Sequence, residues 1–121
     1  MKRREAGMLG EKLARDYLQE HGYRILQTNY RCSEGEIDII AEYQDSLVFV
    51  EVRTKQSREF GSPEESITPA KMAKLRKTVA RYLQSQGNLP AAWRIDVLAI
   101  ELGSDNKAKR LELIEDAVGE G

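Results

Sequence analysis

Residues 36–55 read Glu-Ile-Asp-Ile-Ile-Ala-Glu-Tyr, then Gln-Asp-Ser, then Leu-Val-Phe-Val-Glu-Val-Arg-Thr-Lys. Two runs rich in β-branched and aromatic residues flank a short polar turn. This pattern predicts strands over 36–43 and 47–55, joined by a tight hairpin turn at Gln44-Asp45-Ser46. Side chains alternate along a strand, so Leu47, Phe49, Glu51, Arg53 and Lys55 share one face and Val48, Val50 and Val52 the other. A strand apolar on both faces is a covered, central one. A carboxylate emerging from it is costly unless it is paired or holds a metal ion. On the preceding strand Glu36, Asp38 and Ile40 share a face, so the hairpin can set Asp38 beside Glu51.

Upstream, Ala6, Gly10, Leu13, Ala14 and Tyr17 recur at helical steps, with Leu18 at the stripe's edge. They predict a helix from about Glu5 to His21, stopped by Gly22. Residues 23–30 read as a strand and Ser33-Glu34-Gly35 as a turn. Downstream, Gln56 to Ile67, with Gly61 and Pro63, reads as a loop. Thr68 N-caps a second helix with Pro69 at its first position. Its apolar face is Met72, Leu75, Val79, Tyr82 and Leu83, and it runs to about Gln86 with Gly87 as the stop. A strand follows from Trp93 to Leu102, then a turn over 103–107 and a short edge strand at Leu111–Ile114. The order α-β-β-β-α-β-(β) is an α/β fold with a mixed central sheet flanked by helices. The 121 residues make one domain, with residues 1–4 and 116–121 expected to fray.

Cys32 is the one cysteine and His21 the one histidine. A disulfide within the chain and a Cys/His metal cluster are therefore excluded, and with no Cys–His dyad signal Cys32 reads as a small hydrophobe or passive thiol rather than a nucleophile. His21 suits the end of the first helix; Tyr23, Tyr30 and Trp93 read as core. No apolar run approaches the roughly 20 residues that span a bilayer. No apolar segment follows Met1-Lys2-Arg3-Arg4-Glu5, which gives a cytoplasmic reading with no membrane. The net charge of −1 hides a pattern. Residues 32–52 hold six acidic groups and no basic one, whereas 53–94 hold nine basic and three acidic. An acidic block between basic ones suits a metal site framed by phosphate-binding surface. Chance scatter along half-exposed elements produces the same pattern.

Asp38 and Glu51 offer the hard oxygen ligands that Mg²⁺ or Mn²⁺ prefers. The plain alternative is an ion pair between Glu51 and a neighbouring cation. Acidic-x-basic triplets occur twice, at Glu51-Val52-Arg53 and Asp105-Asn106-Lys107, and only the first follows a strand core. Glu11 lies about 20° from Leu18 around the first helix, close enough to the apolar stripe to reach the sheet. It could equally pair with Arg15. On the second helix Lys74, Lys77 and Arg81 fall within about 60° of one another opposite the apolar face, with Lys71 at the boundary. They read as phosphate contacts or as a solvated face.

In order, Gly35-Glu-Ile-Asp-Ile-Ile, Leu47-Val-Phe-Val-Glu-Val-Arg-Thr-Lys, Phe60-Gly61, Lys71 and Arg94-Ile-Asp-Val resemble the YraN family of small bacterial proteins, over about residues 5–102. That family is similar to the restriction-endonuclease-like PD-(D/E)XK superfamily, archaeal Holliday-junction resolvases in particular. The resemblance implies an αβββαβ core and a nuclease using Mg²⁺ or Mn²⁺ to hydrolyse phosphodiester bonds in structured or branched DNA. It assigns Glu11 as the first-helix glutamate, which would assist a second metal ion or its water, Asp38 as the metal aspartate and Glu51 as the glutamate of the E-x-K element. Arg53 takes the lysine position, and the Val52 carbonyl is a further ligand. A homodimer would fit a two-stranded cut.

The family usually reads Glu-Val-Lys-Thr-Arg where this chain reads Glu51-Val-Arg-Thr-Lys55. Arginine does not release its proton, so Arg53 is no general base. It can orient a water or offset developing charge. Lys55, two residues further and about 6.5–7 Å along the strand, is the other candidate cation. Three functions stay open on this reading: a metal-dependent nuclease, a nucleic-acid-binding protein that keeps the fold without the chemistry, and a structural protein whose carboxylates only form ion pairs.

Overall fold

A computed structural model describes residues 2–56 and 61–118. Five strands form one sheet in chain order: β1 (Arg24–Cys32), β2 (Gly35–Tyr43), β3 (Ser46–Lys55), β4 (Ala92–Leu102) and β5 (Ala108–Ile114). All neighbours are antiparallel except β3 and β4, which run parallel. That parallel step needs a crossover, supplied by helix α2 (Pro69–Ser85). Helix α1 (Arg3–Glu20) covers the opposite face. The mixed sheet flanked by helices is the αβββαβ core with one further edge strand.

β3 is central, as its two apolar faces require. Val48 and Val50 pack beneath Ala14 and Leu18 of α1 with Leu98 and Ile100. Leu47 and Phe49 pack against Leu75, Val79 and Tyr82 of α2 with Ile95 and Val97. Gln44 and Asp45 both take left-handed backbones, φ 48° and 65°, the turn geometry that matches strand twist in a two-residue hairpin. At Gly10 a Cβ would collide with the Thr54 side chain, so the glycine lets α1 cross β3 closely. Thr68 caps α2 by accepting from the Lys71 N–H at 3.2 Å.

Several boundaries differ from the sequence expectation. Arg3 and Arg4 are helical rather than frayed, because the Glu5 carboxylate accepts from the Lys2 N–H at 3.3 Å and closes the first turn. Residues 116–118 are docked rather than frayed. The Asp116 N–H donates to the buried Asp96 carboxylate at 2.8 Å, and Val118 is buried. Arg94 neutralises Asp96 at 3.0 Å and donates to the Tyr23 hydroxyl, so Asp96 serves the core. The segment read as a loop contains a 3₁₀ turn at Glu64–Ser66; Phe60 lies outside the described residues. α2 ends in extended backbone at Gln86, without a left-handed Gly87. β5 is longer than expected, starting at Ala108.

One irregularity matters most. Ile37 and Ile40 pack on the α2 side, while Ile39 and Ala41 pack on the α1 side. Strict alternation therefore breaks at Asp38. Across from it, between the pairs Thr28↔Ile39 and Tyr30↔Ile37, Asn29 has φ 54°. The ribbon of β1 and β2 kinks there.

Candidate functional site

The β2–β3 ladder ends at Ile39↔Val50. Beyond it the strands part, and the Asp38 carboxylate enters the gap. Asp38 Oδ2 accepts from the Val52 N–H at 2.8 Å. A side chain thus replaces a ladder acceptor, which fixes the carboxylate rigidly against β3. Glu51, the neighbouring residue of β3, faces it. Burial pushes the Glu51 carboxyl up to about 8, and the Asp38 charge and a hydrogen bond with Asp38 push the same way, against Arg53. Glu11 on α1 is raised too, first by burial and then by Asp38, with Arg15 opposing. Glu36 adds repulsion to both glutamates.

Two clefts meet at this point. One, of about 800 Å³, lies between the start of α1 and the end of β3 and contains Glu11. The other, of about 580 Å³, lies between the β1–β2 turn and α2 and contains Glu51. Asp38, Val52, Arg53 and Lys71 line both. Asp38 therefore neighbours each glutamate in turn, but Glu11 and Glu51 open into different clefts. Among the described residues no three His, Cys, Asp or Glu side chains form a ready metal cage. The donor set that does converge is the Asp38–Glu51 pair. Its hard oxygens and the raised proton affinity of Glu51 fit a divalent cation in place of a proton.

Arg53 sits beside Glu51 at 3.4 Å. Its Nε donates to Ser66 Oγ at 2.8 Å, which ties β3 to the 3₁₀ turn. Lys55 does not share the cleft of Glu51; it lines only the cleft of Glu11, as the twist of a strand end allows. Of the α2 cations, Lys71 donates to the Ser66 carbonyl at 3.3 Å and Lys74 lines the smaller cleft. Arg81 pairs with Glu34 at 3.5 Å, and Lys77 is exposed and lines neither cleft. Ser66, Glu36, Arg3 and Arg4 were not singled out from sequence as site residues. Only the arginine pair carried a signal, as a basic cluster at the start of a helix.

Residues 10–100, which include Glu11, Asp38, Glu51 and the α2 cations, match the family described as Uncharacterised protein family UPF0102. The chain belongs to the UPF0102 family. UPF0102 is the YraN family, so the resemblance drawn from the motifs holds. A UPF0102 protein of Moorella thermoacetica is 44% identical over 117 residues, covering 97% of this chain and 98% of its own. One of Dehalococcoides mccartyi is 46% identical over 118 residues, covering 98% and 96%. One of Syntrophus aciditrophicus is 45% identical over 111 residues, covering 92% and 86%. No helix among the described residues is long and apolar enough to cross a membrane.

Proposed function

We propose that this UPF0102 protein is a divalent-metal-dependent nuclease acting on structured or branched DNA. The observation that carries the reading is the half-buried Asp38–Glu51 pair, set at the junction of two clefts whose walls carry Arg53, Lys71 and Lys74. Two adjacent carboxylates held in a poorly solvated corner are unfavourable without a cation or a proton between them. Asp38 and Glu51 would hold Mg²⁺ or Mn²⁺. When bound, such an ion supplies Lewis-acid activation of water and of the phosphodiester. Glu11, across Asp38 in the larger cleft, accepts a proton or orients a water there. Arg53, fixed by Ser66, offsets negative charge beside Glu51. Lys71 and Lys74 contact flanking phosphates. Cutting both strands of a junction calls for two copies of the chain.

A second reading, binding without cleavage, is favoured by one feature. Arg53 is an immobile clamp in place of a lysine that could exchange a proton. A cleavage screen in Mn²⁺ and Mg²⁺ over duplex, single-stranded, flap and four-way-junction DNA separates the two. Metal-dependent cuts that vanish in Glu51→Gln and Asp38→Asn establish the nuclease. Binding of junction DNA with no cuts in either metal establishes the second reading.

A further inference from the structure

The larger cleft holds more positive charge than the carboxylate chemistry uses. Arg3, Arg4 and Lys55 line it, and none of the three forms an ion pair with any described residue. On the other side of the site the cations are more engaged: Arg31 pairs with Glu36 at 3.1 Å, and Arg81 with Glu34. The cleft also has an apolar element. Met8 is 62% exposed on its wall. Gly7 also lines it, and an added Cβ there would meet nothing within 4 Å.

We propose that this cleft is the groove through which a single-stranded segment of DNA leaves the carboxylate site, its phosphates held by Arg3, Arg4 and Lys55. The proposal rests on the nuclease reading and adds the path of the strand. Unpaired guanidinium and ammonium groups along a groove are what a phosphate backbone requires. A cleft of about 800 Å³ suits a short stretch of nucleotides, since pockets of roughly 300–1,000 Å³ enclose drug-sized molecules. Met8 offers a soft, adaptable surface to a base regardless of its identity. The groove begins at Asp38 and Arg53, so a strand lying in it is continuous with the site.

The test is binding without divalent metal, by fluorescence anisotropy, to a blunt hairpin duplex and to the same duplex carrying an oligothymidine tail. The wild type should prefer the tailed form by about tenfold, within the range that a few phosphate and base contacts provide. Gly7→Phe should erase that preference by filling the groove, while Gly7→Ala, too small to fill it, should retain it. Circular dichroism of both variants checks that the helix forms. Arg3→Ala/Arg4→Ala should lower the salt slope on the tailed form by about 1.4, at about 0.7 per single-strand phosphate. Equal binding of the two substrates by the wild type overturns the proposal. So does a tail preference that survives both Gly7→Phe and Arg3→Ala/Arg4→Ala. Tail preference without cleavage in Mn²⁺ would instead overturn the nuclease reading alone.

Discussion

With burial and Asp38 both favouring its proton, Glu51 titrates near 8 in the folded chain. A glutamate in an unfolded chain titrates near 4.3. Between those values the native state keeps a proton that the unfolded state has released, so stability falls as pH rises through that window. Glu51→Gln removes the penalty. Urea melts without metal should give a flatter profile for the variant than for wild type from pH 5 to 8, and higher stability than wild type at pH 8, on the order of a few kcal/mol. Mn²⁺ at 100 times its Kd should stabilise the wild type by about 2.7 kcal/mol, a rise in Tm on the order of 10 °C. Glu51→Gln should lose that rise, which a thermal melt checks. Arg53 gives a second pair of outcomes. If it offsets charge in the transition state, Arg53→Ala lowers kcat far more than it weakens DNA binding, and Arg53→Lys does not rescue it. If it replaces a needed lysine, Arg53→Lys raises cleavage. Lys55→Ala belongs in the same assay: outside the cleft of Glu51, it should weaken binding of tailed DNA more than it lowers kcat.

The 3₁₀ turn Glu64–Ser66 is held at both ends by ionic or hydrogen-bonded contacts. Ser66 receives Arg53, and Glu64 binds Arg110 of β5 at 2.7 and 3.0 Å. Arg110 also reaches Glu101 at 2.8 Å and Glu112 at 2.7 Å. Its hydrogen bond holds the Glu64 carboxyl down at about 2. A depressed carboxylate stabilises the fold above its unfolded value, and the contribution is lost as pH falls from about 4.5 toward 2. Arg110→Ala should therefore flatten the acid limb of the stability curve. Near pH 7 it should cost about 1–2 kcal/mol, more than an isolated surface pair, because three carboxylates are left together. A matched set of melts at pH 3 and 7 tests this. The turn was hidden in the sequence, where Gly61, Pro63 and polar residues read as plain loop. Its partners are far away in the chain, and local pattern carries no trace of a contact between residues 64 and 110. The β2–β3 hairpin was legible for the opposite reason: its two strands, turn residues and burial pattern all lie within 20 residues and agree.

Across the whole molecule, the succession of elements and the central place of β3 followed from apolar periodicity, because each helix needs one face covered and β3 needs two. The site was half legible. Alternation placed Glu51 correctly. Asp38 reached it by a kink that breaks alternation, and the same regular geometry misplaced Lys55. Periodicity marks a polar face on α2 without revealing that Arg81 pairs with Glu34. Replacing Lys74, Lys77 and Arg81 together should therefore lower the duplex salt slope by about 1–2 rather than the roughly 2.7 of three full phosphate contacts. Filter binding from 50 to 200 mM salt checks the value. The kink at Asn29 has a further consequence. β1 is the outermost strand of an open sheet, the place where a second chain can zip on and start aggregation. A left-handed residue in mid-strand, together with the register shift between Ile25 and Gln27, spoils that edge as a template. Asn29→Val, which resists a left-handed backbone, would straighten the strand toward a stickier edge, and light scattering on warming should record self-association that Asn29→Gly does not produce.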